Sequence, residues 1–170
     1  MKLLSEHINT KDEFLNKFGG VFEKSPWIAE KVWEKQSTSL EYTLESIHEK
    51  MVKVFQSATD AKKLEVLRSH PDLAGKLMVN NELTVESTLE QKSAGLNNLE
   101  PKEQQLFYSL NKSYINKNKF PFIIAAKGLT SRTILEIFKN RATNTTEIEF
   151  MEACLQVNKI AYLRLIDIFK

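Results

Sequence analysis

The chain has 170 residues, 42% hydrophobic and 27% charged, and its 24 Lys+Arg against 22 Asp+Glu leave a formal charge of +2. A domain usually spans about 100–200 residues and one of this size buries roughly 70% of its unfolded surface, so a single domain over the whole chain is expected. Near-balanced charge excludes the positive field of a general nucleic-acid binder, and the single Cys154 excludes an internal disulfide framework or a cysteine-rich zinc site.

The five glycines and four prolines fall between periodic segments, which is how helix punctuation looks. Thr10 and Glu13 have capping-box spacing, and the helix they open is predicted to stop at Gly19-Gly20. Ser25-Pro26 reads as an N-cap followed by proline in the first turn of a helix over Trp27 to Lys35. From Ser39 onward, Leu40, Leu44, Ile47, Met51, Val54 and Phe55 recur at helical steps along one stripe. Asp60 is expected to cap a short helix carrying Leu64 and Leu67, ending near His70 because Pro71 follows.

Thr84 or Ser87 opens the next helix, which runs to Ala94-Gly95, and Pro101 begins another with Leu106, Leu110 and Tyr114 on one face. Phe120 to Ala126 is a short apolar run that periodicity alone cannot assign to a buried strand or a buried helical turn. Thr130-Ser131 starts a helix through Asn140, and Thr146 with Glu149 reads as the capping box of a long last helix reaching about Phe169. With no alternating apolar and polar segments, the predicted class is all-α.

Three places invite a chemical reading. In Ser69-His70-Pro71-Asp72 the proline disfavours helical geometry at His70, so the imidazole sits at a helix end, serving either the helix dipole or proton transfer near neutral pH. In Ser87-Thr88-Leu89-Glu90-Gln91, helical spacing puts Ser87, Glu90 and Gln91 on one face; Ser-x-x-Glu is also a capping box, and both readings can hold. Arg164 lies in the apolar stretch Ile160 to Ile166, where a guanidinium needs a partner: a core salt bridge, a snorkelling exit, or an anionic ligand. His7 and His48, among charged neighbours, read as solvated, and Phe14, Phe18, Trp27, Trp33, Phe55 and Phe107 as core rather than a stacking platform. Cys154 reads as a small hydrophobe. No P-loop, GxGxxG, HExxH, GxSxG or CxxC occurs.

These stretches together resemble the OHCU decarboxylase family, enzymes acting on 2-oxo-4-hydroxy-4-carboxy-5-ureidoimidazoline in urate breakdown. The resemblance runs through Phe18 to Glu30, His70-Pro71-Asp72-Leu73-Ala74-Gly75-Lys76, Leu83 to Gln91, Ala94-Gly95-Leu96, Phe120 to Ile124 with Gly128, and Ile160 to Leu165. It implies a cofactor-independent and metal-free decarboxylase that yields (S)-allantoin and CO2, an all-helical fold and a homodimer. Carried over by position, His70 and Glu90 are the catalytic pair. Substrate contacts fall on Pro71, on Ser87, Thr88, Leu89, Glu90 and Gln91, on the backbone of Phe122, Ile123, Ile124, Ala125 and Ala126, and on Arg164. After Gly128 the run Leu129-Thr130-Ser131-Arg132-Thr133 departs from the more basic sequence of the family pattern. The longest apolar run is far below the ~20 residues of a membrane helix, the opening Met1 to Glu6 turns polar too soon for a secretory signal, and the closing Asp167 to Lys170 lacks a Ser-Lys-Leu address, so a cytoplasmic protein without membrane or nucleic-acid partners is expected. The competing expectations are a non-enzymatic helical interaction module, with the same residues as caps and core pairs, and the same fold acting on a related ureido acid.

Overall fold

The computed structural model describes residues 8–35, 42–75 and 82–170. Its regular elements are all helices: α1 Lys11–Phe18, α2 Trp27–Glu34, α3 Leu44–Gln56, α4 Asp60–Ser69, α5 Val85–Ser93, a 3-10 turn Leu96–Asn98, α6 Pro101–Asn118, α7 Ser131–Arg141 and α8 Thr146–Ile168. The chain divides into two compact units, one of residues 1–69 and 158–170 and the other His70–Val157.

In the first unit α1 packs on α2 and α2 on α3. The capping box at Thr10 forms as the spacing predicts, with the Glu13 carboxylate accepting from the Thr10 amide and the Thr10 hydroxyl from the Glu13 amide. The Ser25 hydroxyl, in contrast, turns back to donate to the Glu23 carbonyl at 2.9 Å, and Pro26 stands at the cap with no side-chain acceptor. The third helix begins later than its apolar period suggests: Ser39 and Leu40 lie outside the described residues, and Thr43 caps α3 by accepting from Ser46 N at 3.0 Å. Asp60 is already inside α4, and the cap is Thr59, which accepts from Lys62 N at 3.3 Å. Phe14, Phe18, Ile28, Ile47, Met51, Phe55, Leu67 and Leu165 fill the core. Each such side chain removed from water stabilises the fold by roughly 1.5–3 kcal/mol. Trp27 and Trp33 are only half-buried.

In the second unit α6 buries Phe107, Asn111, Tyr114 and Asn118 rather than the face of Leu106 and Leu110, which are half-buried. Asparagines are admitted there because they carry hydrogen bonds: Asn111 Nδ2 donates to the Leu73 carbonyl at 2.8 Å, and Asn118 Oδ1 accepts from the Thr146 hydroxyl at 3.0 Å. Thr130 caps α7 by accepting from Thr133 N at 3.2 Å. At the start of α8 the cap is Thr145, accepting from Ile148 N at 3.4 Å, and Glu149 makes no capping box. Tyr114, Phe120, Phe122 and Phe138 form an aromatic cluster in which Phe122 and Phe138 stack at 3.9 Å. Cys154 is half-buried on α8.

Candidate active site

His70 follows α4 directly and is buried, with 8% of its surface exposed. Pro71 keeps the chain from continuing the helix, and the loop to Gly75 folds back on itself. Ala74 adopts φ 51, a left-handed conformation that costs a residue with a Cβ, so tertiary contacts must hold it. They do: the Ala74 amide donates to Gln91 Oε1 at 2.9 Å, Gln91 Nε2 donates to the Asp72 carbonyl at 3.3 Å, and Asn111 holds the Leu73 carbonyl. Gly75 leaves room for the Asp72 carboxylate, since a Cβ at this position would lie 2.9 Å from Oδ2.

The helix facing this loop is α5. Its cap is Thr84, accepting from Ser87 N at 3.3 Å, which decides the choice between Thr84 and Ser87 and removes Ser87 and Glu90 from a capping-box role. Ser87 and Gln91 are buried and Glu90, one position from Gln91, is half-buried. The Thr88 hydroxyl donates to the Thr84 carbonyl at 2.8 Å, and Leu89 is exposed. Gln91, expected among the substrate contacts, uses both ends of its amide on the His70 loop. It thereby fastens the loop of His70 to the helix of Glu90.

Phe120 to Ala126 is neither strand nor helix, and every residue in it is buried. Buried peptide groups without a ladder need partners elsewhere. Two come from residues that local sequence spacing did not mark. Arg141 Nη1 donates to the Ile123 carbonyl at 2.8 Å, and Gln156 Oε1 accepts from the Ala125 amide at 2.9 Å. The segment then turns at Gly128, whose φ of 84 suits glycine, with Leu129 N donating to the Ala126 carbonyl at 3.0 Å.

Arg141 is itself locked in place. Its Nε and Nη2 donate to the Glu149 carboxylate, at 3.2 and 2.9 Å to Oε2, and its guanidinium carbon lies 4.4 Å from the centre of the Phe122 ring. Asn144 Nδ2 donates to Glu149 Oε1 at 2.8 Å, and the Tyr114 hydroxyl donates to Oε2. Burial, then the bond to Glu149, push the Tyr114 phenol well above its ordinary pKa. The capping-box spacing that pointed Glu149 at Thr146 is satisfied by a different partner.

Arg164 belongs to the first unit, where Nη2 donates to Glu23 Oε2 at 2.8 Å and Nη1 to the Gly20 carbonyl at 3.1 Å. Both side chains of this pair are buried, at 6% and 1% exposure. Of the alternatives for a guanidinium in an apolar helix, the core salt bridge is the one formed. His48 is not solvated as its charged neighbours suggest: it is half-buried, with Nε2 3.0 Å from the Asn158 carbonyl and its ring edge-on to Tyr162. His7 lies outside the described residues. Among the described residues no three His, Cys, Asp or Glu side chains cluster as metal ligands.

These features define an all-α protein in which a buried histidine loop is tied through one glutamine to a helix presenting serine and glutamate. The family model described as OHCU decarboxylase matches residues 9–166. The chain is 38% identical over 166 residues to the 2-oxo-4-hydroxy-4-carboxy-5-ureidoimidazoline decarboxylase of Halalkalicoccus jeotgali, covering 96% of this chain and 90% of that protein. Among solved structures, (S)-allantoin synthase superposes with a TM-score of 0.74 at 29% identity, covering 94% of this chain and 51% of the longer one. An OHCU decarboxylase crystallised in the presence of (S)-allantoin shares the fold, with a TM-score of 0.70 at 23% identity over 94% of this chain and 99% of that one. The chain belongs to the OHCU decarboxylase family.

Proposed function

We propose that this protein decarboxylates 2-oxo-4-hydroxy-4-carboxy-5-ureidoimidazoline to (S)-allantoin and CO2 in urate degradation. The observation that carries the reading is the family match over residues 9–166, which includes the His70 loop and the helix that Gln91 ties to it. The substrate holds its own electron sink. The carbon bearing carboxylate and hydroxyl adjoins a ring C=N carbon that bears the ureido group. As the C–CO2 bond breaks, its electron pair forms a C=C bond to that carbon and the C=N pair moves to nitrogen, which takes a proton. The resulting enaminol loses its hydroxyl proton to become a ketone and gains a proton on the ureido-bearing carbon, from one face. The protein's part is orientation and proton placement.

In this reading His70 exchanges the proton on the hydroxyl side, and Glu90 positions the ring and manages the proton that sets chirality. Ser87, Thr88, Leu89 and Pro71 line the substrate, with Gln91 acting through the loop it holds, and the backbone of Phe122 to Ala126 receives the ureido and ring amides. For Arg164 the support is the sequence resemblance. In that reading Arg164, ion-paired with Glu23, positions the substrate as a hydrogen-bond donor rather than clamping the departing carboxylate, which would stabilise the ground state.

We also assign a homodimer and a cytoplasmic location. The first draws support from the exposed apolar row Ile148, Met151 and Leu155 on α8, at 47%, 60% and 59% exposure. No helix among the described residues is long and apolar enough to cross a membrane. The decisive experiment supplies freshly generated urate-oxidation product and follows one-handed allantoin by circular dichroism. The wild type yields it faster than spontaneous decay, and His70→Asn loses at least about a hundredfold in turnover with its helical spectrum intact. Near-native turnover of that variant would end the assignment.

A further inference from the structure

The two groups that hold the Phe122–Ala126 segment differ in kind. Arg141 is woven into the core through Glu149 and Phe122. Gln156 is half-buried on α8 and meets the segment through a single bond, Oε1 accepting the Ala125 N–H at 2.9 Å. Its Nε2 donates to Glu152 Oε1 at 2.8 Å, one helical turn back. That carboxylate can only accept, so it fixes which way the Gln156 amide faces and keeps the oxygen turned to Ala125.

We infer that Gln156, oriented by Glu152, is a positioning residue for the decarboxylation. By taking up the Ala125 amide, while Arg141 takes up the Ile123 carbonyl, it leaves the N–H and C=O of Ile124, which lie between the two clamped groups, as the backbone groups that meet the ureido and ring amides of the substrate. The inference rests on the proposed reading that this backbone segment binds substrate. It assigns the segment's geometry to two side chains outside it, one of which can be altered without touching the core.

The test compares Q156L with the exchange E152Q/Q156E. In Q156L the Ala125 amide loses its acceptor. In the exchange, Glu at 156 accepts from Ala125 and from the new Gln at 152, so both bonds and the net charge are kept. Loss of one such bond is expected to lower kcat/KM about tenfold in Q156L, mainly through KM, and to reduce the enantiomeric purity of the allantoin. The exchange is expected to return both to within about twofold of wild type, a rescue that a double-mutant comparison reads directly. Wild-type KM and purity in Q156L overturn the inference, as does a loss that the exchange fails to rescue. Should Q156L not fold, Glu152→Leu is read in its place, because it keeps Gln156 but frees its amide to turn: a raised KM and lowered purity support the inference, and wild-type values overturn it. His70→Asn separates the two levels. If that variant is inactive and Q156L is unaffected, only the role of Gln156 falls; if His70→Asn stays active, the site reading itself has failed.

Discussion

Gln91 Oε1 accepts the Ala74 amide at 2.9 Å while the same side chain donates to Asp72, so one residue of α5 sets the curvature of the loop that begins at His70. Replacing it by leucine leaves the buried Ala74 amide unpaired, at a cost of about 1–3 kcal/mol, and releases the part-buried Asp72 carbonyl. Gln91→Leu is expected to lose more than about tenfold in kcat at temperatures well below its unfolding midpoint, because with His70 as the proposed catalytic group small displacements of its loop are costly. Turnover measured beside far-UV circular dichroism checks this. A folded Gln91→Leu protein with wild-type kcat would detach the loop from the chemistry.

Glu90 is half-buried beside Gln91 on the same helix. Glu90→Gln keeps the shape but removes the charge and turns one acceptor oxygen into a donor, so its expected signature is stereochemical: slower turnover, by about 10²-fold or more, with a lower fraction of (S)-allantoin among the enzymatic product. Unchanged rate and chirality would take Glu90 out of the site.

The buried pair Arg164–Glu23 calls for a three-way comparison. Glu23→Gln removes the carboxylate charge that faces a buried guanidinium and is expected to destabilise the fold by about 3–5 kcal/mol. Glu23→Leu with Arg164→Met together should recover most of that loss, since buried pairs are often replaceable by apolar residues of similar volume. If Arg164 also touches substrate, the double variant is stable and poorly active. Chemical denaturation and steady-state kinetics on the same preparations distinguish structure from binding, and a stable, fully active double variant would confine Arg164 to the core.

Tyr114 gives a pH prediction. Burial and Glu149 raise its phenol pKa above that of the unfolded chain. The protonated folded form is thus favoured, its contribution is complete below the unfolded value of about 10, and it is lost as pH rises from there through the folded value. The unfolding temperature should fall between about pH 10 and 11, and Tyr114→Phe should show a shallower fall from a lower starting point, about 1–2 kcal/mol less stable at neutral pH. Parallel slopes for the two proteins would mean that another group governs this range.

Local chemistry made much of this legible. Thr10 with Glu13, the stop at Pro71, the start at Pro101 and the cap at Thr130 each depend on a few adjacent residues, and the structure keeps them. The structure departs from the local pattern where a side chain has two possible partners. Glu149 has capping spacing from Thr146, yet Arg141 and Tyr114 claim its carboxylate because a buried ion needs several donors. Ser25 prefers the Glu23 carbonyl over a cap, and α6 buries asparagines because one loop carbonyl and one hydroxyl meet them. In the candidate site, His70 and the α5 residues stand out by their short motifs. Arg141 and Gln156 do not, since they act on residues 18 and 31 positions away, a relationship with no period to read.

The seven-residue run Phe120 to Ala126 owes its form to side chains that reach it from α7 and α8. Transplanting that run alone into another scaffold would carry its letters without its shape. The portable unit is the run together with Arg141, Glu149, Gln156 and Glu152, and a designer who wanted its shape elsewhere would have to move all of them in register.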